Sequence, residues 1–276
     1  MNEALDLSSR PRRLLSNSNR NLARDKIWSW AIPAYEARLP DGRTVRTCPS
    51  AGVCAEVCYA RNGSYNYPNV RSAHLRNLLF VLEDPAGWEA AMMAELAAPR
   101  FVGSYVRVHD AGDYFSDPYA LAWLRIMRAN PQTFFYSYTK EVRRYERLVE
   151  PDPPPNSRWI CSLGGTQDER LDVERHRVAD VFAAERDIER AGFHSQRESD
   201  LLAAFGPAPV GMAANSIRHF QKRQGNRTFG EWQREVDVSR GKARSQPLLS
   251  RRSQTRSDSG DAGSSSSSGP ESPQDH

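Results

Sequence analysis

Strand-like and helix-like segments alternate through the middle of the chain, and that alternation limits the fold more than any other feature. Tyr105-Val106-Arg107-Val108 reads as a strand, His109 to Asp117 as a polar turn, and Pro118 to Ala129 as a helix carrying Leu121, Leu124 and Met127. The pattern then repeats. Phe134 to Tyr138 is extended, Val142 to Val149 helical, Trp159 to Leu163 extended, and Val178 to Ala183 a weaker strand. Upstream, Ile27 to Ile32 forms a first strand that ends at Pro33, and Val70 to Leu82 is helical. Asp84-Pro85 opens another helix, with Pro in the first turn where its missing N–H costs little and with Trp88, Met92 and Leu96 on one face.

Strands separated by helices predict an α/β fold with a parallel sheet. Fewer than eight units are visible, so the expectation is an incomplete (βα) barrel, related to the TIM barrel, with an open doubly wound sheet as the other arrangement. Both put ligands beyond the carboxyl ends of the strands. The 276 residues do not all belong to this core. Residues 1–24, with Arg10, Arg12, Arg13, Arg20 and Arg24, read as a flexible basic segment, and residues 239–276, Arg/Ser-rich with a five-serine run, as a disordered tail. The α/β domain is therefore placed at 25–238. With 38 basic and 34 acidic residues, the net charge of +4 is compatible with nucleic acid without demanding it. There is no apolar run of membrane-spanning length and no apolar signal-peptide core, so a cytoplasmic chain without disulfides is expected.

Three of the four cysteines fall within eleven residues, in Cys48-Pro-Ser-Ala-Gly-Val-Cys54-Ala-Glu-Val-Cys58. Soft thiolates on a Gly- and Pro-containing loop suit zinc or an iron–sulfur cluster, and the spacing does not decide between them. Cys161, at the end of a later strand, is a candidate fourth ligand, with His74 and His109 also available.

A second cluster, His109-Asp110-Ala111-Gly112-Asp113-Tyr114-Phe115-Ser116, leaves a strand where an α/β site forms. Asp110 and Asp113 can divide acid and base roles if their surroundings separate their pKa values, with His109 beside them. Tyr114 and Phe115 are candidates to stack a nucleobase. The competing reading is turn chemistry, with Asp113 or Ser116 capping the next helix. Lys140 ends the next strand, as a partner for carboxylate or phosphate or as a solvated side chain. Gly164-Gly165 offers close backbone approach to a ligand, or a tight turn.

The run from Cys48 to Arg61, with Tyr67-Pro68-Asn69-Val70, resembles the "gene product 88" family of actinobacterial phages. So do Val108 to Asp113, Phe135 to Lys140, and Ser162 to Gly165. Two more distant likenesses imply chemistry. Asp110-Ala-Gly-Asp-Tyr-Phe is similar to the Asp-Ser-Gly-Gly-Phe-Gln of tRNA- and DNA-guanine transglycosylases. That implies Asp110 as acid/base group, Asp113 or Asp168 as nucleophile, and DNA and a modified purine (a 7-deazaguanine of the preQ0 type) as partners. Cys58-Tyr59-Ala60 and Tyr138-Thr139-Lys140 resemble radical-SAM-like phage proteins. That implies a [4Fe–4S] cluster on the three cysteines, with one iron open to S-adenosylmethionine and Gly164-Gly165 helping to bind it. The leading expectation is a phage base-exchange transglycosylase acting on DNA. The radical-SAM-like enzyme comes second, and a non-catalytic metal-stabilised nucleic-acid-binding protein third.

Overall fold

The computed structural model describes residues 10–241. In chain order its strands are β1 (Ile27–Ala31), β2 (Glu36–Arg38), β3 (Thr44–Arg46), β4 (Tyr105–Ala111), β5 (Phe134–Thr139), β6 (Ser157–Ser162), β7 (Val178–Phe182), β8 (His194–Ser195) and β9 (Val210–Ala213). Its helices are α1 (Arg20–Arg24), α2 (Pro68–Glu83), α3 (Pro85–Leu96), α4 (Asp117–Ala129), α5 (Val142–Leu148), α6 (Arg186–Arg190), α7 (Leu201–Phe205), α8 (Arg218–Gln224) and α9 (Phe229–Ser239). A seven-stranded sheet runs β1-β4-β5-β6-β7-β9-β8, and every neighbouring pair is parallel. From β1 to β7 the order follows the chain, as in an incomplete barrel; a doubly wound sheet would reverse its order. The sheet stays open.

Local chemistry fixes the boundaries. Asp84 caps α3 by accepting from the Gly87 N–H at 2.9 Å, Ser116 caps α4, and Thr228 with Glu231 forms a capping box at α9. On one face of the sheet, Trp30, Val106, Val108, Phe135 and Trp159 pack with Trp88, Met92 and Leu96 of α3 and with Ala120, Trp123, Leu124 and Met127 of α4. On the other face Ile27, Tyr136, Ile160, Ala179 and Val210 pack with Leu22 of α1 and with Ala203 and Ala204 of α7. Among the described residues no helix is long and apolar enough to cross a membrane.

Two boundaries differ from expectation. β4 continues through His109, Asp110 and Ala111, where the sequence reads as a turn. The chain between residues 10 and 24 also does not behave as a free basic arm. Leu14 and Leu15 are buried in the larger core, and their amides donate to the Glu95 carboxylate at 2.6 and 3.4 Å. Ser16 bridges Ser29 of β1. Two leucines outweigh the arginines around them, because burying each is worth roughly 1.5–3 kcal/mol. The first nine residues, and the expected tail from residue 242 onward, lie outside the described residues.

If residues 10–24 are part of the folded unit, Leu15→Ala lowers unfolding free energy by about 2–4 kcal/mol in urea titration. A loss below about 0.5 kcal/mol, as at a surface site, would return the segment to the status of an arm.

Candidate active site

A cleft of about 470 Å³ opens at the carboxyl ends of β4, β5, β6, β7 and β9, and Cys48, Cys54 and Cys58 all line it. Between β1 and α2 the chain forms the β2–β3 hairpin and then short 3-10 turns at Val53–Val57, Tyr59–Arg61 and Gly63–Asn66. Backbone bonds hang this loop on the sheet. Gly52 and Cys54 both donate their N–H to the Gly164 carbonyl, at 3.1 and 3.2 Å. Ser50 N–H donates to the buried Glu141 carboxylate at 2.8 Å, and Val53 N–H to Gln233 of α9 at 2.8 Å. Val53 and Val57 pack against Phe220 and Trp232.

The three cysteines are half-buried and none is in a disulfide. Burial is the main cause that raises all three thiols: Cys48 well up, with the Asp113 charge adding to it, Cys54 to about 11, and Cys58 upward. Left alone, they stay protonated and unreactive at neutral pH; a bound cation is what would ionise them. They share one wall of the cleft, yet among the described residues no three His, Cys, Asp or Glu side chains close around a single ion. Cys161 is not with them. It is buried on β6, outside the cleft lining, and burial, then the charges of Asp113, Glu146 and Glu150, pushes its thiol up to about 12. It shares the face of Trp159, toward α5, because side chains alternate along a strand.

The predicted carboxylates separate in role. Asp110 is in the cleft. Tyr65 Oη donates to its Oδ2 at 2.6 Å, and the Arg107 guanidinium stands 3.6 Å from Oδ1. Asp113 is a brace. Its Oδ1 accepts from Thr139 Oγ1 at 2.7 Å and from Tyr114 N–H at 2.8 Å, and its Oδ2 from Lys140 N–H at 2.9 Å. Burial, then the Glu141 charge, lifts its pKa to about 6. Lys140 Nζ donates to Ser162 Oγ at 2.9 Å and to the carbonyls of Ser162 and Leu163 at 3.1 and 2.9 Å. It touches the cleft while its three N–H groups are already matched.

Tyr114 and Phe115 lie outside the cleft lining and stack on protein rings. Tyr114 is fully buried, lies on Trp159 at 4.3 Å and 25°, and donates its Oη–H to Ser137 Oγ at 3.1 Å. Phe115 lies on Tyr119 at 4.7 Å and 24°. Both joined the core because Gly112 turns the chain there. Its φ is +88°, and a Cβ would stand 2.3 Å from Ile32 Cγ1. Gly164 and Gly165 serve the cysteine loop, outside the cleft lining. Their amides donate to Asp168 at 2.7 and 2.9 Å, while the Gly164 carbonyl holds Gly52 and Cys54. Asp168 is thereby committed to this turn, and burial raises it to about 7.

Several cleft residues were not foreseen. Arg107 donates to Asp200 at 3.2 Å, closer than it stands to Asp110, donates to Tyr59 Oη at 3.1 Å, and lies over the Tyr138 ring at 5.2 Å. Tyr138 Oη contacts Gln196 at 2.5 Å and Asp200 at 3.1 Å. An arginine between Val106 and Val108 signals a strand face that meets something polar; Gln196 and Asp200 carry no such signal.

Asp168 ionises at about pH 7 when folded and near 3.8 when free. Between those values the unfolded chain has lost the proton and the folded one keeps it, so stability falls as pH rises and levels above 7. Thermal denaturation from pH 4 to 8 is expected to show that decline, and Asp168→Asn to make it shallower, the rest coming from buried Asp113 and Asp180, each raised to about 6. An equal slope in the variant would contradict the assignment.

The family model described as Gene product 88 matches residues 13–245. Two curated relatives are the "Gene 88 protein" of Mycobacterium phage L5, 32% identical over 110 residues, and that of Mycobacterium phage D29, 32% identical over 114. Each match covers 37% of this chain and 46% or 45% of the relative, so it spans about half the relatives' length. No solved structure matches.

Proposed function

The chain belongs to the gene product 88 family, and we propose that it is an enzyme of the radical-SAM-like kind, with Cys48, Cys54 and Cys58 as ligands of a [4Fe–4S] cluster. The observation that carries this is the placement of all three thiols on one wall of a cleft at the carboxyl end of an open parallel sheet, on the loop that follows its first strand. The donor set fits. Three soft sulfurs with no disulfide partner suit iron–sulfur ligation. A single zinc ion, with bonds of about 2.3 Å, draws thiolates into a tight group. A cluster takes each thiolate on its own iron, which fits three thiols that line one cleft without closing around a single ion.

When bound, such a cluster supplies one electron to S-adenosylmethionine, the start of hydrogen-atom abstraction from a substrate. The chain's own residues do the rest. Arg107, Asp110, Tyr65 and Tyr138 present a polar wall for orienting a substrate. Nucleic acid suits the rim. Tyr35 braces Cys48, donating its N–H to the sulfur at 3.3 Å, and its ring lies between the guanidiniums of Arg46 and Arg61 at 5.0 and 5.3 Å. These two guanidiniums suit backbone phosphates, while the ring they cover is not a free platform for a base. Transglycosylation of DNA with a 7-deazaguanine keeps Asp110 in the cleft but loses its stacking pair, since Tyr114 and Phe115 pack in the core, and loses Asp113 and Asp168 as nucleophiles, since both are bonded to backbone amides.

Anaerobically reconstituted protein, given dithionite and S-adenosylmethionine, is expected to release 5′-deoxyadenosine and methionine, and Cys58→Ala to abolish this. Protein that carries a full cluster and forms no 5′-deoxyadenosine would overturn the reading.

A further inference from the structure

The bonds of one buried histidine go beyond that reading. β1 and β4 pair in register from Ile27↔Tyr105 to Trp30↔Val108, and then Ala31 pairs with Ala111. One step on β1 thus spans three on β4, and His109 and Asp110 form the bulge. His109 takes φ +68°, a left-handed conformation that costs a non-glycine residue energy and that bulges use to re-aim side chains. Asp110 goes to the polar wall. The His109 ring goes toward α4, where its Nε2 meets Tyr119 Oη at 2.9 Å.

The direction of that bond follows from its neighbour. Trp30 Nε1 donates to Tyr119 Oη at 2.7 Å, and an indole N–H can only donate. Tyr119 thus accepts one bond and has room for a second, but its own proton also needs an acceptor. His109 Nε2 is the bonded acceptor within reach, so Nε2 carries no proton and Nδ1 does. Burial pushes the imidazole pKa down to about 3, so the ring is neutral. Nδ1 is then a buried donor without a partner, on a residue that is 4% exposed and lines the cleft. Orphaned buried donors are rare and costly.

We propose that His109 is a fixed neutral hydrogen-bond donor of the cleft, held by Trp30 and Tyr119 in the Nδ1–H tautomer to receive an acceptor oxygen, carbonyl or carboxylate, of the bound ligand. It does not act as the acid/base group that its place beside Asp110 suggests. Tyr119 is the positioning residue. It touches no ligand and acts by choosing which imidazole nitrogen holds the proton.

The assignment uses the cleft and not the identity of its cofactor, so its first test is independent of iron. Nitrogen-15 NMR of the histidine-labelled full chain at neutral pH is expected to show a neutral Nδ1–H ring for His109, and Tyr119→Phe to shift it toward Nε2–H. An Nε2–H ring or an imidazolium in the wild type would overturn the proposal. The second test is a double-variant cycle on 5′-deoxyadenosine release. Asparagine offers an amide NH2 donor, has no tautomers, and tolerates positive φ. Tyr119→Phe is expected to cost about tenfold in the His109 background and little in the His109→Asn background. An equal cost in both would reduce Tyr119 to packing and overturn the relay. If the wild type releases no 5′-deoxyadenosine, the proposed function falls while the NMR result still decides the tautomer.

Discussion

The carbonyl oxygen of Gly164 is the point on which the site depends. Two amides of the cysteine loop, those of Gly52 and Cys54, converge on it, and Asp168 fixes the turn from below by accepting from Gly164 and Gly165. A loop this rich in Gly, Pro and Ser has little apolar surface beyond Val53 and Val57, which pack on Phe220 and Trp232, so the rest of its position comes from hydrogen bonds. Each is worth only about 1 kcal/mol net, but they act together with Glu141 at Ser50 and Gln233 at Val53. Gly164 must be glycine, because its φ of +93° suits no side chain and a Cβ would press on Phe229 at 3.0 Å. The same turn therefore sets the end of β6 and the place of Cys54.

The end of β4 makes the other half of the site by spending regularity. A strand that kept its register would put His109 on the face of Arg107 and Asp110 on the other. The bulge puts Asp110 beside Arg107 and Tyr65, and the imidazole against Tyr119. Asp113 then ties the strand end to β5 through Thr139 and Lys140. Three acidic side chains near one cleft thus have three functions. Asp110 faces the cleft, Asp113 braces two strands, and Asp168 holds a turn.

Much of this was legible in the sequence, for physical reasons that also mark where legibility stops. β1, β4, β5, β6 and β7 announce themselves because buried parallel strands are runs of apolar and aromatic residues. The two-residue β8 and Val-Gly-Met-Ala of β9 are too short to show a period, and β2 and β3 are polar. Leu14 and Leu15 were hidden among arginines. The cysteines, Asp110 and His109 could be found because their residue types and spacing carry chemistry. Tyr114 and Phe115 could not be sorted from ligand-stacking residues, because their partners Trp159 and Tyr119 are fixed by tertiary packing. Cys161 looked like a fourth ligand until strand alternation put its thiol on the helix side.

The account rests on three thiols meeting one cluster in the cleft, and metal analysis reaches that claim most directly. Anaerobically purified protein is expected to be brown and to hold about four iron and four acid-labile sulfide per chain, falling to near zero when Cys48, Cys54 and Cys58 are replaced together and unchanged in Cys161→Ser. A colourless chain that takes up one zinc ion, and no iron after reconstitution, would contradict it.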